Sequence, residues 1–411
     1  MRLAVVASHV IQYQDPFYRR LAAHPDIELT VLFCSAEGAK TYHDVGMGTT
    51  LRWDLELLQG YDHRFLRNFG WGEGFFRLVN PGLVPTLVRG NFDAVLFMTG
   101  WAWLSAWIGF AACRVARIPI FLYGDSSYVP DEKSVRAKLR AAVMRALFGM
   151  TSAFMISGKL NGDYYKHYRA DPRRFFPLPW AIDNERFVEG SAFAPGERDA
   201  MRERYGIAHD ELAVIYSGKL IERKDPMTLL RALARMTHPA IAVFLGDGAL
   251  RADLERYASH GLPASEPPSF PVSQEAGRPG GSAKSRAAFV GFVNQTDLPK
   301  HYAMGDAFVL PSHFDPRATV VNEAMACGLP IVITDRCGPS ADIVRHGENG
   351  YVFAPGDDAA LATHLDALAR DAEMRARMAQ RSREIIATWS YAEGVDGVAA
   401  ALKSIAGGEQ T

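Results

Sequence analysis

Residues 307–335, AFVLPSHFDPRATVVNEAMACGLPIVITD, read as strand, loop, helix and second strand. AFVLPS (307–312) and PIVITD (330–335) are short apolar runs of strand length, and the segment between them begins helical near Ala318. Gly328 follows the last helical residue and Pro330 stands two positions later, which is how a helix is stopped before a strand. A strand, a helix and a second strand joined this tightly form the unit of a parallel sheet with helices on its faces.

Working outward, the same alternation runs through most of the chain. Strand candidates before residue 185 are LAVVAS (3–8), ELTVLF (28–33), AVLFMT (94–99), PIFLYG (119–124) and AFMIS (153–157). Those after it are LAVIYSG (212–218), AIAVFLG (240–246) and AAFVGFV (287–293), ahead of the two runs already quoted. The expectation is an α/β protein of two facing doubly wound, Rossmann-like domains with mostly parallel sheets and a helical C-terminal tail.

The 411 residues exceed what one core usually serves, roughly 250–300 residues, so two domains are expected. FFPLPWAIDNERF (175–187) resists helix through its prolines and is read as the crossover. This places a first domain at residues 1–182, a second at 183–385 and a helical tail at 386–411, packing back on the first domain. Pro, Gly and Ser dominate 263–285, which reads as a mobile insertion.

Composition narrows the function classes. A net charge of −1 offers no field for nucleic acid, and residues 1–185 carry only a mild excess, 21 Lys/Arg against 17 Asp/Glu. Cys34, Cys113, Cys327 and Cys337 show neither paired nor metal-ligand spacing, which suits reduced thiols and a cytoplasmic address. The apolar start ends at Ser8 and His9, too early for a signal peptide. WAWLSAWIGFAAC (101–113) falls short of the ~20 residues that a membrane span needs, so it reads as a buried helix.

Ligands of doubly wound sheets bind outside the carboxyl ends of the strands, so the residues following strands carry the chemistry. A helix beginning near Ala318 presents the amides of Ala318, Thr319 and Val320, with the positive end of its dipole, to a phosphate group. Glu323 is then placed for a ribose diol and Asp315 for the sugar ring, because ionised carboxylates only accept hydrogen bonds. Asp315 as a helix cap and Glu323 as a solvated helix residue is the alternative. In SGKLIERKDP (217–226), Gly218 permits close backbone approach while Lys219 and Lys224 supply two cations that match a diphosphate, ordinary surface charges being the alternative.

SGKLIERKDPMTLL, FLGDGALRADLE, FVGFVNQTDLPKHYAMGDAFVLPS and DPRATVVNEAMACGLPIVITD, in that order, resemble the C-terminal domain of the retaining glycosyltransferases of family four, which have the GT-B fold. The resemblance covers most of residues 213–356. It implies that Lys219 and Lys224 hold the pyrophosphate, that backbone near Val293 meets the base, that Glu323 binds ribose and that Asp315 contacts the transferred sugar. It also implies a nucleoside-diphosphate sugar donor, no cofactor and no metal, consistent with the lack of an Asp-x-Asp triplet. This chain departs from the family pattern at three places: Lys219 stands for Arg, Asp315 for Glu, and Arg317-Ala318 for Phe-Gly.

The resemblance further implies transfer with retained configuration to a glycan, lipid-linked or small-molecule acceptor. On the acceptor side, His9, Gln12 and Asp125 follow strands, with Asp125 the candidate for orienting the acceptor or sugar and a turn cap as its alternative. KSVRAKLRAAVMRAL (133–147) puts Val135, Leu139, Ala142, Val143 and Leu147 on one face among basic residues. A core-packed helix is the favoured reading of that pattern, and peripheral contact with an anionic membrane on its inner face is the other. Two other functions remain: a catalytically silent nucleotide- or carbohydrate-binding relative, and a nucleotide-dependent oxidoreductase. The second is weakened because FLGDGALR has Arg251 where the dinucleotide fingerprint needs its third glycine.

Overall fold

The computed structural model describes residues 1–44, 46–124, 126, 134–259 and 286–406. The chain divides into two compact units: one holds residues 1–42, 51–183 and the C-terminal stretch from Trp389, and the other holds His43–Thr50 with Asn184–Thr388. The insertion expected at 263–285 lies outside the described residues.

The first unit is built on strands β1 (Arg2–Ala7) and β2 (Glu28–Phe33). After the short pair β3 (Tyr42–Asp44) and β4 (Thr49–Leu51) come β5 (Asp62–Phe65), β6 (Ala94–Phe97), β7 (Ile120–Tyr123), β8 (Ala153–Ile156) and β9 (Phe175–Pro177). The main sheet has the order β5-β2-β1-β6-β7-β8-β9, and all its pairings are parallel.

A parallel sheet is covered on both faces, which is why β1 is apolar almost throughout rather than alternating. Leu3, Val5 and Ala7 enter one core, and Ala4 and Val6 the opposite one. Helix α1 (Asp15–Ala22) covers the first face. Helices α2 (Leu83–Arg89), α3 (Leu104–Ala116), α4 (Val135–Met150) and α5 (Lys159–His167) supply the second.

In the second unit, α6 (Asn184–Gly190) and α7 (Glu197–Arg204) precede a sheet of six parallel strands: β10 (Leu212–Ser217), β11 (Ala240–Leu245), β12 (Arg286–Gly291), β13 (Ala307–Leu310), β14 (Ile331–Thr334) and β15 (Gly350–Phe353). Between them run α8 (Pro226–Arg235), α9 (Arg251–Ser259), α10 (Leu298–Ala303) and α11 (Thr319–Ala326), and α12 (Asp358–Arg370) and α13 (Ala372–Ala387) follow. Strand order is β12-β11-β10-β13-β14-β15, so the chain reverses its direction of sheet growth between β10 and β13. The crevice at the carboxyl ends of those two strands is the topological switch point where such sheets bind ligands.

The last helix, α14 (Tyr391–Ala406), belongs to the first unit and buries Tyr391, Val395, Val398 and Leu402 in its core beside α1. Two glycines permit this approach: a Cβ at Gly397 would stand 1.8 Å from the Pro177 carbonyl oxygen, and one at Gly394 would stand 2.7 Å from Leu178. The segment FFP, read above as part of a crossover, forms edge strand β9, where the missing amide of Pro177 costs no sheet hydrogen bond.

The phase of α4 corrects the favoured reading of its sequence. Its buried residues are Ala141, Met144, Leu147 and Phe148, while Val135 is 84% exposed and Leu139 67%. Of the stripe expected to pack on the core, only Leu147 does so. Packing against Tyr165 and Tyr168, through Phe148, rotates the helix away from the 135/139/143 stripe.

Candidate functional site

At the end of β10 the chain turns through Gly218, whose φ of +143° is open to glycine and disfavoured for other residues. The neighbouring strand ends lie directly against this turn. The Gly218 amide donates to the Leu245 carbonyl at 2.9 Å, and a Cβ at Gly246 would fall 2.1 Å from the Gly218 oxygen. The glycines of FLGDG therefore serve backbone packing between the loops after β10 and β11. Past Lys219, a short 3-10 turn (Glu222–Lys224) leads to Asp225, whose side chain accepts from the Thr228 amide and starts α8 with Pro226 in its first turn.

The loops after β10 and β13 are bound to each other. Arg223 donates from Nη1 to the Phe314 carbonyl at 2.7 Å, and the His313 amide donates to the Arg223 carbonyl at 3.0 Å. Between these two links, Lys224 Nζ pairs with Asp315 Oδ2 in a contact whose side chains are only 12% and 8% exposed. The other oxygen, Asp315 Oδ1, accepts from the Ala318 amide at 3.1 Å. Lys224 is thus joined to the start of α11 through one carboxylate.

That bond corrects one expectation. The Ala318 amide is occupied by Asp315, because Ala318 lies outside the helix in the left-handed region at φ +41° and turns its N–H back toward that side chain. Among the described residues the amides of Thr319 and Val320, both partly exposed, make no hydrogen bond. The departure from Phe-Gly to Arg317-Ala318 puts alanine in a conformation that glycine adopts without steric cost.

Lys219 finds a partner that sequence reading missed. Its ammonium donates to both carboxylate oxygens of Asp44, at 2.7 and 3.0 Å. Asp44 also accepts the Met47 amide at 3.0 Å. Burial raises the Asp44 pKa, but the Lys219 hydrogen bond, the backbone amides and the Lys219 charge outweigh it and hold the carboxyl below its ordinary range. Positions 44 and 219 are 175 residues apart, and no local pattern announces the pair.

Glu323 is fully buried, which removes its reading as a solvated helix residue. Tyr302 on α10 donates its hydroxyl to Glu323 Oε2 at 2.6 Å. Tyr216 and Cys337 lie within reach of the Asp315 charge instead: burial first, then that charge, pushes the Tyr216 phenol well up, and burial pushes the Cys337 thiol up to about 12. Helix α11 ends in a Schellman motif, in which Gly328 at φ +77° donates to Met325 and Leu329 donates to Ala324.

Val293 follows β12 in a partly buried loop. In the first unit, His9 and Gln12 follow β1 and are partly exposed, and Ser8 Oγ lies 2.9 Å from His9 Nδ1. Asp125 lies outside the described residues. Among the described residues no three His, Cys, Asp or Glu side chains gather to hold a metal ion, and no helix is long and apolar enough to cross a membrane. All four cysteines are buried and unpaired with one another.

Residues 282–385 match the family model described as glycosyl transferases group 1. The chain is 31% identical over 240 residues to a D-inositol 3-phosphate glycosyltransferase of Geodermatophilus obscurus, spanning 58% of this chain and 49% of that protein. It is also 31% identical over 192 residues to spore coat protein SA of Bacillus subtilis, spanning 45% and 46%. The chain spans about half the length of the curated relatives it matches. Among solved structures, Anabaena HepE in complex with UDP and glucose superposes with a TM-score of 0.70 at 17% identity, over 98% of this chain and 100% of that one. The fold is therefore GT-B.

Proposed function

We propose, from the match of residues 282–385 to the glycosyl transferases group 1 model and from the GT-B fold of the chain, that this protein transfers a glycosyl group from a nucleoside-diphosphate sugar to a hydroxyl acceptor with retention of configuration. The observation that carries the reading is the switch point between β10 and β13. Lys219 and Lys224 lie in the loop after β10, and Lys224 is joined through Asp315 to the start of α11 after β13, at the switch point where a doubly wound sheet accepts a phosphorylated ligand.

In the proposed reaction, the bond between the anomeric carbon and the diphosphate oxygen breaks, and the electron pair leaves with the diphosphate. The acceptor oxygen forms the new bond on the face just vacated, and its proton passes to the departing diphosphate oxygen. Lys219, Lys224 and the amides of Thr319 and Val320 stabilise the charge that develops on that leaving group, with contributions of a few kcal/mol per preorganised donor. No metal is needed where two ammonium groups take its place. Asp315 and Glu323 would turn to hydroxyls of the sugar and the ribose, Asp315 once the diphosphate has drawn Lys224 from it. The base meets the backbone near Val293.

The complex of HepE with UDP supports a nucleoside diphosphate as the first donor to try. The test is release of free nucleoside diphosphate from a panel of nucleotide sugars in the presence of glycan, lipid-linked and small-molecule acceptors. Acceptor-dependent release supports transfer; binding without release from any donor supports a silent relative, and a nicotinamide absorbance change an oxidoreductase.

The acceptor side of the proposal rests on the first unit, with His9, Gln12 and Asp125 as its candidate residues. A cytoplasmic protein in peripheral contact with an anionic membrane is part of the same proposal. Helix α4 supports this contact: it exposes Val135, Leu139 and Val143 beside Arg136, Lys138 and Arg140, and carries no acidic residue. Sedimentation with anionic but not zwitterionic vesicles, lost in Leu139→Glu, is the expected result; equal sedimentation with both would reject it.

A further inference from the structure

The segment that reaches Lys219 is an excursion of the chain. Residues up to Tyr42 and from Leu51 onward belong to the first unit, whereas His43–Thr50 pack with the second. The excursion is a small hairpin of β3 and β4, closed by the Asp44 carbonyl accepting from the Gly48 amide at 2.8 Å and the Met47 amide at 3.2 Å. It encloses the ammonium group closely, since a Cβ at Gly46 would stand 2.7 Å from Lys219 Nζ. The Asp44 side chain is 14% exposed and that of Lys219 36%, so the pair is partly sheltered from water.

A carboxylate that grips Lys219 with both oxygens occupies hydrogen-bonding positions that a phosphate would use. An ammonium group has three donors, and two of them are already directed at Asp44. A diphosphate entering here meets a fixed negative charge as well as the positive one. Lys224 is balanced in the same way, but by Asp315, which has a second role at the start of α11.

We propose that Asp44 is a tethered counter-ion that competes with the donor's diphosphate for Lys219 and so sets donor affinity. The proposal rests on the reading of Lys219 as a diphosphate-binding residue. It separates two roles of one side chain: the Oδ1 acceptor for Met47 shapes the hairpin, and the charge opposes the ligand. Asparagine keeps the first role and removes the second. Binding should then tighten, and by more while Lys219 is present than without it.

The test is calorimetric titration of the full chain with inorganic pyrophosphate and with UDP, using wild type, Asp44→Asn, Lys219→Ala and the double variant. Asp44→Asn should bind both probes roughly two- to fivefold more tightly, the range for a partly exposed charge pair. Lys219→Ala should weaken binding, and adding Asp44→Asn to it should recover clearly less than Asp44→Asn gains in wild type, because relief of direct repulsion remains but competition for the ammonium group does not. Unchanged or weaker binding by Asp44→Asn overturns the proposal, as does a gain of undiminished size without Lys219. Lys219→Ala binding both probes like wild type overturns instead the donor-site reading on which it rests. Should Asp44→Asn fail to fold, Asp44→Ser, whose hydroxyl also accepts from an amide two or three residues on, carries the same comparisons.

Discussion

Replacing Lys224 by alanine should destabilise the second unit measurably, and the amount follows from the burial of its pair. Both side chains are nearly enclosed, at 12% and 8% exposure, and removing one partner of a buried ion pair costs about 3–5 kcal/mol. Asp315 keeps the Ala318 amide at 3.1 Å, and one hydrogen bond to a charged group recovers part of that loss, leaving about 2–3 kcal/mol. For a body of this size the midpoint falls by about 2–4 °C per kcal/mol, or roughly 4–12 °C in all. All seven tryptophans lie outside residues 184–388, so calorimetry rather than intrinsic fluorescence should follow the transition. In the double variant with Asp315→Ala the orphaned charge is gone, and the second substitution should cost at least about 1 kcal/mol less than it does in wild type. A loss under about 0.5 kcal/mol for Lys224→Ala, or strict additivity in the double variant, would refute the buried-pair argument.

Glu323→Ala should lower kcat/KM by at least roughly tenfold in initial-rate assays with a nucleotide sugar, with a smaller loss for Tyr302→Phe; unchanged turnover in Glu323→Ala counts against its role. Burial pushes the thiols of Cys34, Cys113 and Cys337 up to about 12 and that of Cys327 well above its ordinary value, so native protein at neutral pH should be inert to disulfide reagents. Four thiols should then react on unfolding; rapid native labelling would show otherwise. Burial raises the Asp366 pKa, but the amides of Thr237 and His238 and the His238 ring outweigh it and hold it below 3.8. Its stabilisation is therefore fully present above that ordinary value and lost as pH falls through the lower folded value. Asp366→Asn should flatten the acid limb of a stability–pH curve, and an unaltered limb would remove Asp366 from the account.

Much of this was legible because the information is local. Strands β10, β11, β13 and β14 are continuous apolar runs, and the loops that follow them bring Lys224 and Asp315 together within one unit. Edge strand β5, DHRF, is largely exposed, has no apolar pattern and cannot be distinguished from a loop by periodicity. Strand β15 is four residues long and begins with Gly350, whose α-hydrogen faces the Ile331 carbonyl where a Cβ would come within 1.8 Å. Two site features depended on tertiary structure. Asp44 reaches Lys219 from a distant hairpin, and the Ala318 amide is lost to Asp315 through a left-handed residue that helix periodicity cannot show. The phase of α4 failed for a related reason, since two apolar stripes compete along it and aromatic packing selects the one through Met144 and Phe148.

The most direct measurement is a crystal structure of the protein with UDP bound. Oxygens of its diphosphate should lie at hydrogen-bond distance, ~3 Å, from the ammonium groups of Lys219 and Lys224 and from the amide of Thr319 or Val320. A diphosphate bound elsewhere, with Lys219 still on Asp44 and Lys224 still on Asp315, would contradict the account.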